Sequence, residues 1–293
     1  MKRASDGRVA AGVALTVLSA VGYSLSLVLA RLSYDHGTNA LSIMLIRFML
    51  MVGLMLVWNR ARRIPLRLGK RELLICFLSG GVYFLGIGAY LSSVGYLPVS
   101  LAVLIFYTFP LLTALLSALI ERRWPTGWEV LTLLIAFLGL GLALGVEGEG
   151  VSKVGLAFGV IASLGVALNM IVSTRALKSV PVTVFSLHMA LAALLCSALA
   201  VATTGSFALP QAAPGWVALG LSLVAFVIAY LALYKGLPLI GPVRLSMVMN
   251  LEPVVTILIA GAILKESLSG LQIVGGGIVI AAVVLAQFRR DGA

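Results

Sequence analysis

The chain has 293 residues, 61% of them apolar and 11% charged, with a net charge of +11 and two cysteines. A soluble domain averages about 45–50% apolar and ~25% charged residues, and no folded chain of this length can hide such an excess from water. The composition therefore excludes a water-soluble protein. The basic residues are scattered through short linkers between apolar runs, which argues against a nucleic-acid surface. Cys76 and Cys196 fall inside apolar runs and imply no disulfide framework.

The opening MKRASDGR and the apolar run after it imitate a signal peptide. That run, from Val9 to about Leu32, outlasts an h-region and is followed by many more. It reads as a first transmembrane helix. About 20 apolar residues cross the hydrocarbon layer as a helix. Ten segments qualify: roughly 9–32, 38–58, 71–93, 98–120, 126–146, 152–176, 181–203, 214–235, 241–264 and 269–288. Such runs are too long for barrel strands, so the expected fold is an all-α integral membrane protein.

Orientation follows from the Lys/Arg bias of the linkers. With the N-terminus inside, Lys2, Arg3, Arg8, Arg60, Arg62, Arg63, Arg67, Lys70, Arg71, Arg122, Arg123, Arg175, Lys178, Lys235, Arg244, Arg289 and Arg290 fall on one side. Only Arg31, Lys153 and Lys265 fall on the other. Both termini are expected in the cytoplasm. The linkers are too short to house a nucleotide-binding or catalytic domain.

Shifting the chain by 143 residues aligns Gly12 with Gly155, Ala14 with Ala157, Gly22 with Gly165, Pro110 with Pro253, Thr113 with Thr256 and Gly127 with Gly270. One ungapped offset near half the length reads as an internal repeat, residues 1–147 and 148–293, together one transport domain. Five helices per copy is an odd number, so the second copy starts from the opposite face and the repeats are inverted. That build is common in secondary transporters, whose substrate site lies near the midplane between repeats.

The most unusual stretch is SMVMNLEPVVTILIAGAIL at 246–264, which carries Asn250, Glu252 and Pro253 among hydrocarbon side chains. Its repeat partner is VLIFYTFPLLTALLSALIE at 103–121, where Pro110 matches Pro253, Tyr107 matches Asn250 and Phe109 matches Glu252. Proline removes a backbone donor and frees a carbonyl about one turn earlier, and freed groups inside a membrane need protein or water around them. Two such helices, related by the repeat, point to a shared central cavity.

Residues 229–284 resemble the drug/metabolite transporter superfamily, specifically its EamA-type ten-helix exporters. The matching residues are Tyr230, Glu252-Pro253-Val254, Lys265-Glu266, Leu271-Gln272 and Gly275-Gly276-Gly277. In the first half Arg47, Tyr90, LPVSLA at 97–102 and Pro110 match as well, while Glu121 comes two residues early relative to Glu266. The resemblance covers essentially the whole chain. It implies a bacterial inner-membrane exporter of small metabolites, with a cavity lined by helices 1, 3, 4, 6, 8 and 9. Aromatic residues on helices 3, 4 and 8 favour the branch that exports aromatic and other neutral amino acids; other metabolites or drugs are the alternative substrates.

Candidate substrate contacts follow, each with a structural alternative. Glu252 is the one acid placed deep in a span; a charge there costs about 2.5–3.5 kcal/mol on insertion scales and should face the bundle interior or water. It either bonds a carbonyl freed by Pro253, meets a substrate ammonium or takes a proton. Asn250 either bonds substrate or holds helices together. Tyr83 and Tyr90, seven apart on one helix face, join Tyr107 and Tyr230 as hydroxyl-bearing rings suited to a mostly apolar pocket. Tyr34, Tyr96 and Tyr234 fit an interfacial belt better. His188 handles protons or packs, and with no Cys, Asp or Glu beside it supplies no metal site. Asn169 is a further polar candidate. Arg47, Pro110 and Pro253 are assigned structural or gating roles, Arg47 by pairing with Glu252, snorkelling or bonding a helix end. Gly155–Gly159 and Gly275–Gly277 read as helix-packing positions.

An enzyme would need a nucleophile with its base or paired carboxylates. The sequence has no G-x-S-x-G and no H-E-x-x-H, so none is expected. A channel is a second alternative. No G-x-x-x-x-G-K-[ST] is present, so transport runs downhill or on an ion or proton gradient. No cofactor is expected. The expected partners are a small-molecule substrate and the lipid bilayer.

Overall fold

A computed structural model describes residues 2–94, 96–97, 99–122, 124–145, 152–264 and 269–288. Pro98, Arg123, Lys265, Glu266, Arg289 and Arg290, named above, lie outside the described residues. All regular elements among the described residues are helices: α1 (Lys2–Tyr34), α2 (Ala40–Ala61), α3 (Lys70–Val94), α4 (Val99–Phe106), α5 (Phe109–Glu121), α6 (Gly127–Leu144), α7 (Lys153–Ala176), α8 (Val182–Thr204), α9 (Ala213–Met249), α10 (Leu251–Leu264) and α11 (Gly270–Phe288). Eight helical segments are long and apolar enough to cross a membrane, and α10 and the apolar part of α11 complete ten crossings. Local signals set several ends. Asn39 caps α2 through the Ser42 N–H at 2.9 Å, and Thr126 and Glu129 form a capping box on α6.

The two crossings read from their prolines as interrupted are each built of two helices. The fourth is divided at Tyr107–Thr108 between α4 and α5, and the ninth at Asn250 between α9 and α10. Tyr107 and Asn250 stand 143 positions apart, so the break is built twice. In both crossings a proline lies in the first turn or so of the outgoing helix, where its missing N–H is least disruptive. α9 itself bends back at Gly241, whose φ of 77° and ψ of 167° suit a residue without a Cβ; Pro242 after it favours the extended ψ. Residues 213–240 thus form the eighth crossing and 242–249 the first half of the ninth. The reversal shows in the neighbours of α1. Gly22 abuts Ala225 and Ala229, while Ser24 donates to the carbonyl of Glu252 at 2.8 Å.

The main helix pairs are α1 with α9 and α3 with α7, followed by α6 with α11 and α2 with α8. Exchanging the halves maps the first pair onto the second and each of the others onto itself. Lipid tails are as apolar as leucine, so close backbone approach drives such pairing, and small residues provide it at matching positions. A Cβ on Gly12 would lie 2.5 Å from Ile240, and one on Gly155 2.5 Å from Leu97. One on Gly22 would press Ala229 at 2.9 Å, and one on Gly165 would press Gly86 at 3.0 Å. Each pair of neighbours is again 143 apart. The fold is two inverted five-helix repeats.

Overpacking typically costs about 1–3 kcal/mol. Gly22→Leu and Gly165→Leu should therefore each lower the melting temperature of the detergent-purified protein. Gly53→Leu, at a glycine where a Cβ would meet nothing within 4 Å, should leave it unchanged; fluorescence-detected size exclusion after heating measures all three.

Candidate functional site

The breaks in α4–α5 and α9–α10 are held by hydroxyls. Thr113 donates to the Phe109 carbonyl at 2.7 Å and its counterpart Thr256 to the Glu252 carbonyl at 2.8 Å. Ser24 reaches Glu252 from α1. Across the bundle the Thr108 hydroxyl donates to the Ile105 carbonyl at 2.7 Å and lies 2.8 Å from the Ser163 hydroxyl on α7. Bonded in this way, backbone that leaves the helical ladder is tolerated at mid-depth because it borders a cavity.

That cavity has a volume of about 280 Å³ and is bounded by α1, α2, α3, α4, α5, α6, α7, α9 and α10. Its wall is mostly aromatic and aliphatic, with Tyr83 and Tyr90 on α3, Phe106, Tyr107 and Phe109 at the α4–α5 break, and Phe226 on α9. The rings pack against each other, Tyr90 on Phe106 at 4.7 Å and Phe48 edge-on to both Tyr83 and Phe226 at 6.0 and 6.1 Å. Two charged side chains enter it. Glu252 comes from the start of α10, where the Tyr107 hydroxyl lies alongside its carboxyl. Arg47 comes from α2 and lies over the Phe226 ring at 4.9 Å, a contact worth about 0.5–2 kcal/mol. No ion pair joins Arg47 to Glu252. Instead Arg47 Nη2 donates to the hydroxyls of Ser26 at 2.7 Å and Ser222 at 3.0 Å.

The cavity is not symmetric in depth. It runs from Glu252 and Tyr23 toward the end of the bundle formed by the α1–α2 turn, reaching Tyr34, Ala40, Leu91, Leu144 and Ile257. At the opposite end the equivalent elements are packed shut. There Leu111 and Ala114 of α5 meet Leu133, Val243, Met247 and Ala286 in an apolar cluster. Ala114 is buried in this seal while its repeat counterpart Ile257 lines the open side.

Of the sequence-derived candidates, the cavity gathers Tyr83, Tyr90, Tyr107, Glu252, Pro253 and Arg47. The others lie behind its wall. Tyr230 is fully buried and donates to Met189 Sδ at 3.2 Å. Asn169 donates from Nδ2 to the Ser79 carbonyl at 2.8 Å and accepts from the Tyr234 hydroxyl at 2.9 Å. His188 sets Nδ1 2.9 Å from the Val184 carbonyl. Asn250 returns its amide to the Met247 carbonyl at 3.2 Å, and Pro110 is buried at the start of α5. Tyr34 and Tyr234, read as belt residues, are respectively a cavity residue and a fully buried one. Sequence reasoning passed over Tyr23, Ser26, Phe48 and Phe226. The available signal for the first two was the stripe Tyr23, Ser26, Leu27, Tyr34 at helical spacing on one face of α1.

The EamA-like transporter family model matches residues 10–145 and again 153–288, two stretches that start 143 positions apart. An uncharacterized transporter of Archaeoglobus fulgidus is 28% identical over 207 residues, 69% of this chain and 72% of that protein. An uncharacterized transporter of Synechocystis sp. is 29% identical over 224 residues, 72% of this chain but 65% of that protein. A crystal structure at 19% identity shares the fold, with a TM-score of 0.75 over 92% of this chain and 97% of the other.

The contrast between open and sealed ends is testable in a variant with Cys76 and Cys196 replaced by serine. Ile257→Cys should react readily with a polar maleimide in detergent. Met247→Cys should react roughly tenfold more slowly or less, since a packed thiol is reached only through local opening.

Proposed function

The chain belongs to the EamA-like transporter family, and on that premise we propose that it is a secondary or facilitative carrier exporting small metabolites across a bacterial inner membrane, aromatic and other neutral amino acids foremost. The single observation that carries this reading is the mid-membrane cavity, aromatic on its walls and supplied with one carboxylate at a helix break. An apolar pocket with few polar groups orients a solute through those groups and selects it by shape. Tyr83, Tyr90, Phe106 and Tyr107 stack on a flat apolar side chain, and Glu252 meets the ammonium.

Movement by alternating access is supported by the repeat. Packing at Leu111, Ala114, Val243 and Met247 closes one end. The counterpart positions at the other end, among them Val254, Ile257 and Leu104, would close in the exchanged conformation. With the chain ends in the cytoplasm, as the Lys/Arg bias supports, the cavity described here would face outward. An aqueous channel is disfavoured by the seal.

Counterflow of labelled amino acids in proteoliposomes tests the assignment, and saturable exchange is the expected result. Glu252→Gln should weaken apparent affinity for ammonium-bearing solutes roughly 10- to 150-fold, the ~1.5–3 kcal/mol of a hydrogen bond to a charged group. Equal transport by wild type and Glu252→Gln would remove Glu252 from the solute. In the same assay Tyr83→Ala, Tyr90→Ala and Tyr107→Ala should each reduce exchange of phenylalanine and tryptophan more than that of alanine, with membrane expression retained.

A further inference from the structure

The repeat supplies an internal control for Arg47. Its two hydroxyl partners tie α1 to α9: Ser26 donates to the Ser222 carbonyl at 2.9 Å and Ser222 to the Ser26 carbonyl at 2.8 Å. The counterparts of Ser26 and Ser222 are Asn169 and Ser79, which tie α7 to α3 in the same way. That second joint is completed by scaffold groups alone, the Tyr234 hydroxyl on Asn169 and the Ser173 hydroxyl 2.8 Å from that of Ser79. The counterpart of Arg47 there is Ala190. A joint of this kind therefore holds without a guanidinium.

What Arg47 does have is unused donor capacity. Nη2 is engaged, but among the described residues nothing bonds Nη1, and Nε is buried without a partner. Among the described residues no carboxylate lies within ion-pair distance of it. The Tyr23 hydroxyl, on the same cavity wall beside that of Tyr83, is also buried without a hydrogen bond of normal geometry. Arginine presents a planar fork of donors matched to a planar anion, and the two serines fix its orientation. The backbone of Glu252 approaches from the other flank of α1, because Ser24, which holds its carbonyl, and Ser26, which holds Arg47, are two residues apart and so point to opposite sides of the helix.

The geometry points to Arg47 as a subsite for a carboxylate of the transported solute, with Tyr23 as a second donor. The assignment rests on the carrier reading above and deepens it. Glu252 takes the cationic end and Arg47 the anionic end, which selects amphoteric solutes over amines of the same shape.

The test compares acids with their amides, phenylalanine against phenylalaninamide and tryptophan against tryptophanamide. Inhibition of counterflow in proteoliposomes is read together with heat stabilisation in detergent. Wild type should prefer each acid by about tenfold or more, and Arg47→Gln should erase the preference while continuing to exchange the amides. Arg47→Lys and Tyr23→Phe, which keep the charge or the ring, should each narrow it severalfold. An undiminished preference in both of these, or in Arg47→Gln, overturns the assignment. Wild type carrying acid and amide equally overturns it too and leaves the carrier reading standing. Stabilisation by acids alone without any exchange overturns the carrier reading and keeps the subsite. Neither exchange nor stabilisation by any member overturns both.

Discussion

Hydrocarbon offers no hydrogen bonds, so each departure from continuous helix inside this bundle has to be answered by a side chain. The chain departs twice at mid-depth, at Tyr107–Thr108 and at Asn250, and both times threonine and serine hydroxyls add hydrogen bonds to carbonyls flanking the break. Because the answering residues come from α1 and α7 as well as from the broken helices, the breaks hold only while α1 stays on α10 and α7 on α5. The glycine contacts of α1 with α9 and α7 with α3 keep those helices in place. Cavity, breaks and close packing are therefore one construction.

Glu252 and Arg47 are affordable in that construction for different reasons. Glu252 sits in the first turn of α10 and faces the cavity, with the Tyr107 hydroxyl alongside its carboxyl. Arg47 is held end-on by two serines and backed by the face of Phe226. Neither charge is neutralised by the other. An interior with two separated charges and no ion pair is poorly stable by itself and well suited to a ligand that bridges them.

The ten crossings, the inversion and the two breaks were legible because they depend on signals that repeat: apolar length, Lys/Arg bias, and one offset linking Pro110 to Pro253. Glu252 was legible because a deep acid is rare. The sorting of the remaining polar residues was not. Tyr83 and Tyr230 have the same chemistry and a similar apolar context in sequence, yet Tyr83 faces the cavity and Tyr230 points into Met189. Asn169 reads like a ligand-binding amide until Ser79 and Tyr234 are seen to occupy it. Which face of a helix looks inward is set by neighbours far away in the chain, and a span that is apolar all round carries no periodicity to reveal it.

The unequal charge of the two halves has a consequence for energetics. In the carrier proposed above, identical copies would make the inward- and outward-open forms equivalent by a two-fold rotation, with the same free energy in a symmetric membrane. Here Arg47 stands where the other half has Ala190, and Glu252 where it has Phe109. Each substitution lifts that degeneracy, and because both are ionisable the imbalance responds to the electric field across the bilayer. On the proposed alternating-access reading, voltage would thus act on the resting preference of the empty protein, before any cargo is bound.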